Sequence, residues 1–197
     1  MSGKSQSGVG FPQAFASIKL AGVGAVLTLG IAMWAVTSTA ASATAPSETP
    51  TEYQVKAAFL YNFAKFVEWP DQPNPSVQLC TVGDDPFGNI LEETVKGKTL
   101  NGHPIAVKRF KAGENARGCQ IAFIGVPERE TRPVLDMLQG ASTLTVGESP
   151  NFAKEGGIIN FVLEGNKVRF EINVAAAQQA RLKISSKLLS LARIVGN

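Results

Sequence analysis

Ile158-Ile-Asn-Phe-Val-Leu-Glu-Gly-Asn-Lys-Val-Arg-Phe-Glu-Ile172 carries the clearest local structural signal in the chain. Two runs rich in β-formers, Ile158–Leu163 and Val168–Ile172, flank Glu164-Gly165-Asn166-Lys167. A two-residue Gly-Asn loop predicts a hairpin of type II′ and sets its register by pairing Glu164 with Lys167. Leu163 then lies opposite Val168, Phe161 opposite Phe170, and Ile159 opposite Ile172. All six side chains fall on one face, as a half-buried hairpin requires, and Arg169 and Glu171 fall on the other.

Ahead of this stretch the chain alternates strands and helices. Val77–Val82, Ile105–Phe110, Gln120–Gly125 and Ser142–Val146 read as strands. A helix is expected from Pro86 to about Lys96, with Asp85 as N-cap, and another over Arg132–Gln139. The pattern predicts a single α/β domain: a mostly parallel twisted sheet flanked by helices, ending in the C-terminal β-hairpin. At the front, Thr51 and Gln54 have capping-box spacing. Val55, Phe59, Phe63, Phe66 and Val67 recur as a helical stripe that Pro70 and Pro73 terminate. Tyr53, Leu60, Tyr61 and Trp69 fall partly off that stripe, so Leu60 and Tyr61 are candidate partner contacts. The alternative is that they fill a wide core stripe. A last helix is expected over Ser186–Ile194, capped by Ser185 or Ser186.

Residues 1–43 read as a secretory signal. Lys4 and Lys19 supply positive charge, Leu20–Val36 is an uncharged apolar run of 17 residues, and small residues follow, with Ala-x-Ala sites ending at Ala43 and Ala45. An uncleaved membrane anchor is the alternative reading. Residues 44–50 form a Pro/Ser/Thr-rich linker, and 51–197 form the domain, placed in the periplasm by a Sec-type route. The whole chain carries a net charge of +3. Most of that lies in the signal, so the domain is nearly neutral and offers no electrostatic case for nucleic acid.

Cys80 and Cys119 are the two cysteines. An even count in an oxidising compartment favours a disulfide, against the alternative of two separate buried thiols. The single histidine, His103, sits in Asn101-Gly102-His103-Pro104, which reads as a turn. One histidine and two cysteines supply neither a zinc site nor a catalytic triad, so no metal and no cofactor are expected. Gly83–Gly88 lacks the lysine and hydroxyl of a phosphate loop and reads as a capped turn. Arg181, Lys183 and Lys187, with Arg169, form the remaining charged feature. Arg169, Arg181 and Lys183 are candidate anion or partner contacts, and a solvated face is the alternative.

Several segments resemble the YfiR-like family. These are Tyr53-Gln-Val-Lys-Ala-Ala-Phe-Leu-Tyr-Asn-Phe-Ala-Lys-Phe-Val-Glu-Trp-Pro70, Leu79-Cys-Thr-Val-Gly83, Phe170-Glu-Ile-Asn173 and Ile184-Ser-Ser-Lys-Leu-Leu189. The spacing of Cys80 and Cys119 also fits the family's cysteine pattern. Some relatives carry a second cysteine pair in the last third, and Lys154–Phe161 has none. The resemblance implies a non-enzymatic periplasmic regulator that represses an inner-membrane diguanylate cyclase, or a related sensor kinase, by contact with its periplasmic region. An OmpA-type outer-membrane lipoprotein would sequester it, and a homodimer is compatible with this role. Two other function classes stay open on the sequence: a small-ligand-binding sensor domain and an exported enzyme.

Overall fold

The computed structural model describes residues 51–70 and 75–196. The signal at 1–43 and the linker at 44–50 lie outside the described residues, as does Pro73. The elements run α1 (Glu52–Lys65), β1 (Val67–Glu68), β2 (Val77–Gly83), α2 (Ile90–Val95), β3 (Thr99–Leu100), β4 (His103–Phe110), β5 (Ile121–Gly125), α3 (Glu128–Leu138), β6 (Leu144–Gly147), β7 (Ile159–Glu164), β8 (Lys167–Asn173), α4 (Val174–Gln179), β9 (Lys183–Ile184), α5 (Ser186–Leu189) and β10 (Arg193–Val195). Eight strands form one sheet in the order β10-β8-β7-β6-β5-β2-β4-β3, and β1 pairs with β9 separately. Neighbours are parallel except at β3–β4 and at the β7–β8 hairpin. The expected α/β class, with its mostly parallel sheet and C-terminal hairpin, is the observed one.

Strand alternation sorts the core into two layers. Val77 and Leu79 of β2, Ile121 and Phe123 of β5, and Leu144 and Val146 of β6 face the larger cluster. There they meet Ala57, Leu60 and Phe63 of α1 and Leu91 of α2. Cys80, Val82, Ala122 and Ile124 point the other way, against Val134 and Leu138 of α3. Phe63 stacks on Phe161 at 5.7 Å between ring centroids and meets Phe170 edge-on at 5.0 Å, which docks α1 on the hairpin.

The hairpin register is the expected one, from Glu164 opposite Lys167 to Ile159 opposite Ile172. The turn differs from the expected type II′. Gly165 (φ 53°) and Asn166 (φ 60°) are both left-handed, which is type I′, and Asn tolerates that region because its short amide bonds locally.

Several boundaries also move. Helix α1 has the capping box at Thr51 but ends at Lys65, because Val67 and Glu68 turn into β1 opposite Ile184 and Lys183. Helix α2 begins at Ile90, four residues later than expected, and Asp85 caps the preceding turn by accepting from the Phe87 amide at 2.9 Å. His103 is not in the turn but opens β4 opposite Leu100; the left-handed pair Asn101-Gly102 makes the turn. The final helix covers only Ser186–Leu189. Ser185 caps it, and Arg193–Val195 forms an edge strand parallel to β8 instead of continuing the helix.

The disulfide Cys80–Cys119 is formed, with both residues buried. It joins the middle of β2 to the loop entering β5, on the α3 side of the sheet.

Candidate functional site

In parallel α/β sheets, ligands usually enter a crevice beyond the carboxyl ends of the strands, where the strand order reverses. Here that point lies between β2 and β5, and the chain closes it. The Asp84 amide donates to the Gly125 carbonyl at 2.7 Å. A Cβ on Gly125 would fall 2.1 Å from the Asp84 carbonyl oxygen, so only glycine permits the approach. One strand further along, the Phe152 ring is clamped between Gly147 and Gly157, where added Cβ atoms would lie 2.5 and 2.1 Å from it. Asp85, at the same end, is held by Arg109 Nε at 2.6 Å, and Arg109 also pairs with Glu92. The Gly83–Gly88 segment is thus a turn tied to β5 by Asp84 and to β4 by Asp85.

Beside this closed edge lies a polar cluster on α1. The Lys56 side chain, 5% exposed, is paired with both Glu52 and Glu148. Tyr53 Oη donates to Glu148 Oε1 at 3.2 Å, and the Lys56 ammonium lies 4.8 Å from the Tyr53 ring centroid. Burial by itself would lower the Lys56 pKa. The hydrogen bonds to Glu148 and Glu52 outweigh burial and hold the ammonium above its usual value. Burial and the charge of Glu148 push the Tyr53 hydroxyl up. The cluster therefore ties α1 to the loop after β6, and sequence reading missed it because the two halves are 92 residues apart.

The residues singled out from the sequence do not assemble into one site. Leu60 is 0% exposed, a correction to its reading as a partner contact: it lies on the side of α1 that faces the sheet. Tyr61 is half-buried, and Lys65 and Lys98 approach its ring at 4.4 and 4.5 Å. Arg169 is exposed on β8 opposite Val162. Arg181, with a left-handed backbone (φ 59°), reaches Ser142 Oγ at 3.4 Å, and Lys183 lies opposite Glu68. Ser142 precedes β6 and Val162 lies beyond its far end. At about 3.3 Å per residue, the Arg181 and Arg169 anchor points are roughly 20 Å apart along the strands. An anion site shared by Arg169, Arg181 and Lys183 is not formed.

What sequence reading missed is the free edge of the sheet. The exposed large hydrophobics among the described residues are Leu163 (56%), Leu191 (72%) and Ile194 (44%). Leu163 is on the hairpin, Ile194 is on the edge strand β10, and Leu191 immediately precedes that strand. Ile194 pairs with Ile172, so its side chain shares the α1 face with Leu163 and Val168. The opposite edge, β3, is two residues long and preceded by Lys96 and Lys98, a common way of blunting an edge. The β-branched pair Ile194-Val195 was the available signal in the sequence, but the expectation of a helix to Ile194 obscured it. Among the described residues no group of three His, Cys, Asp or Glu side chains could hold a metal ion.

A family model described as YfiR/HmsC-like matches residues 53–193. Two solved structures resemble the fold. One is a conserved domain protein from Vibrio cholerae O1 biovar El Tor, with a TM-score of 0.52 and 11% identity, covering 73% of this chain and 60% of that one. The other is an ABC domain from Streptococcus pneumonia in complex with L-Trp, with a TM-score of 0.51 and 12% identity, covering 71% of this chain and 60% of that one. The chain spans 60% of the length of each, and at these identities the likeness concerns the fold.

Proposed function

Because the chain belongs to the YfiR/HmsC-like family, whose members are non-enzymatic regulators of cyclic-di-GMP signalling in the periplasm, we propose that it represses an inner-membrane diguanylate cyclase by contact with that protein's periplasmic part. The observation that carries the proposal is the family match over residues 53–193, nearly all of the described chain. Among the described residues no helix is long and apolar enough to cross a membrane.

The free edge supplies a surface for that contact. A reversible interface needs an apolar centre with a polar rim. Leu163, Leu191 and Ile194 provide the centre, and Arg169, Arg193 and Lys167 provide the rim. A partner strand laid along β10 would also satisfy the outward backbone groups of that strand. An OmpA-type outer-membrane lipoprotein that relieves repression would compete for the same edge. The closed crevice between β2 and β5 weighs against a ligand-sensing role at the usual place in such sheets.

The test is a strain carrying the cognate cyclase. Leu163→Glu with Leu191→Glu should raise cellular cyclic-di-GMP to the level of a deletion, while the purified variant keeps its melting temperature. A deletion that leaves cyclic-di-GMP unchanged ends the cyclase reading. A fully repressing, stable double variant moves the interface elsewhere.

A further inference from the structure

We propose that the notch beside β7, between the end of β6 and the start of α1, takes an extended peptide segment of a protein partner. The segment pairs with the backbone of Leu163 and brings a lysine or arginine to Glu52 and Glu148. Strand β7 runs to Glu164, but its pairing with β6 stops at Gly147 opposite Asn160. No other strand among the described residues lies on that side of β7. At about 3.3 Å per residue, Leu163 stands roughly 10 Å beyond the last pair.

The hairpin register decides which backbone groups look into the notch. The Asn173 amide donates to the Ile158 carbonyl at 2.8 Å. Residues that exchange bonds across an antiparallel ladder alternate, so Ile158, Asn160, Val162 and Glu164 bond toward β8. Ile159, Phe161 and Leu163 turn their N–H and C=O groups the other way. Ile159 lies opposite Val146 of β6, whereas Leu163 has no strand opposite it. A cleft of about 520 Å³ adjoins this stretch, lined by residues 160–163 together with Tyr53, Lys56 and Glu148. Successive side chains of a strand point to opposite faces, so a cleft lined by four in a row looks onto the edge of β7. A donor and an acceptor side by side on a strand edge are complementary to another main chain, which identifies the ligand as a peptide. The residue opposite Leu163 must offer an N–H, so proline is excluded there.

The charge around the notch selects the side chains. Lys56 is buried between Glu52 and Glu148, and both carboxylates reach solvent. The three groups leave one net negative charge at the mouth of the cleft, while Leu163, Pro150 and the Tyr53 ring offer apolar contact. The matching segment is extended, apolar beside Leu163 and basic within reach of the carboxylates. The charge governs selectivity more than strength, because exposed ion pairs contribute little. This notch and β10 lie on opposite sides of the β7–β8 hairpin.

The test is an NMR titration of the purified protein with a Thr-Val-Lys-Val-Thr peptide and its variants. The expected result is saturable shifts at the Leu163 and Glu52 amides, with slowed hydrogen exchange at Leu163. N-methylation of one alternate set of peptide amides should abolish binding, and methylation of the other set should leave it intact. Replacing the peptide lysine by glutamate should weaken binding at least about fivefold, the upper scale of an exposed ion pair. Glu52→Gln should weaken the lysine peptide by a similar factor and leave a threonine-for-lysine peptide unchanged. The proposal is overturned if no peptide gives saturable shifts, if the shifts fall on β10 instead, or if both methylation patterns bind alike. Equal binding of the glutamate peptide also overturns it. So does a Leu163 amide already protected before peptide is added, because the chain's own residues would then fill the notch. None of these readouts depends on cyclic-di-GMP, so the notch and the regulatory role fail or stand separately.

Discussion

Glu171 Oε1 accepts a hydrogen bond from Arg193 Nε at 2.9 Å, across the β8–β10 pair in which the two residues lie directly opposite each other. Glu171 is buried and Arg193 is mostly exposed, and the carboxylate raises the arginine pKa. The pair fastens the edge strand proposed as the partner surface. Arg193→Ala should leave Glu171 without its cation, lower the melting temperature and raise hydrogen exchange in β10 ahead of β8. Exchange in β10 equal to that of the parent would show that the strand is held by other contacts.

Leu60 and Tyr61 are adjacent in sequence and should respond differently to truncation. Leu60→Ala removes a fully buried side chain and should cost about 2–5 kcal/mol in chemical denaturation. Tyr61→Ala removes a half-buried ring that meets two lysines and should cost far less. Equal losses would contradict the burial of α1 described above.

The Cys80–Cys119 bridge should leave no free thiol in the unfolded, unreduced protein. Closing a loop of 39 residues restricts the unfolded chain, so replacing both cysteines by alanine should destabilise the domain by about 4 kcal/mol in the chain-entropy model. Two titratable thiols would remove the staple.

Glu92 should titrate below the ordinary carboxylate range because Arg109 hydrogen-bonds it, an effect that partial burial opposes. A lowered pKa in the folded state contributes stability that is present above the ordinary value of 4.5 and is lost as the pH falls through the folded value. Arg109→Ala should return the Glu92 carboxyl to its ordinary range in an NMR titration. The stability difference between parent and variant should shrink with acid, and it will be small because the pair is solvent-screened. An unshifted Glu92 in the parent rules the pairing out.

The segments that made the family legible have mainly structural duties. In Phe170-Glu-Ile-Asn173, Phe170 and Ile172 enter the core and Glu171 holds β10. Asn173 caps α4 by accepting from the Ala176 amide at 2.9 Å, and it donates to the Ala153 carbonyl at 2.7 Å. In Ile184-Ser-Ser-Lys-Leu-Leu189, Ile184 pairs with Val67, Ser185 caps α5 and Leu188 is buried. Such motifs report the fold well and the contact surface poorly, because burial and capping constrain residue type more tightly than an exposed edge does.

The sequence by itself determined what depends on local spacing. This includes the alternation of strands and helices, the Thr51–Gln54 box, the hairpin register and the even cysteine count, since each is set by backbone periodicity, short-range bonding or stoichiometry. It misjudged the helix ends at Lys65 and Leu189, where β1 and β10 form only because β9 and β8 are there to pair with them. Only the tertiary structure buried Leu60, separated Arg169 from Arg181, closed the crevice between β2 and β5, and left Leu163 of the hairpin and Leu191 and Ile194 at the β10 edge exposed. These outcomes follow from contacts between residues distant in sequence. Whether a side chain there meets protein or water is decided by which element lands on it.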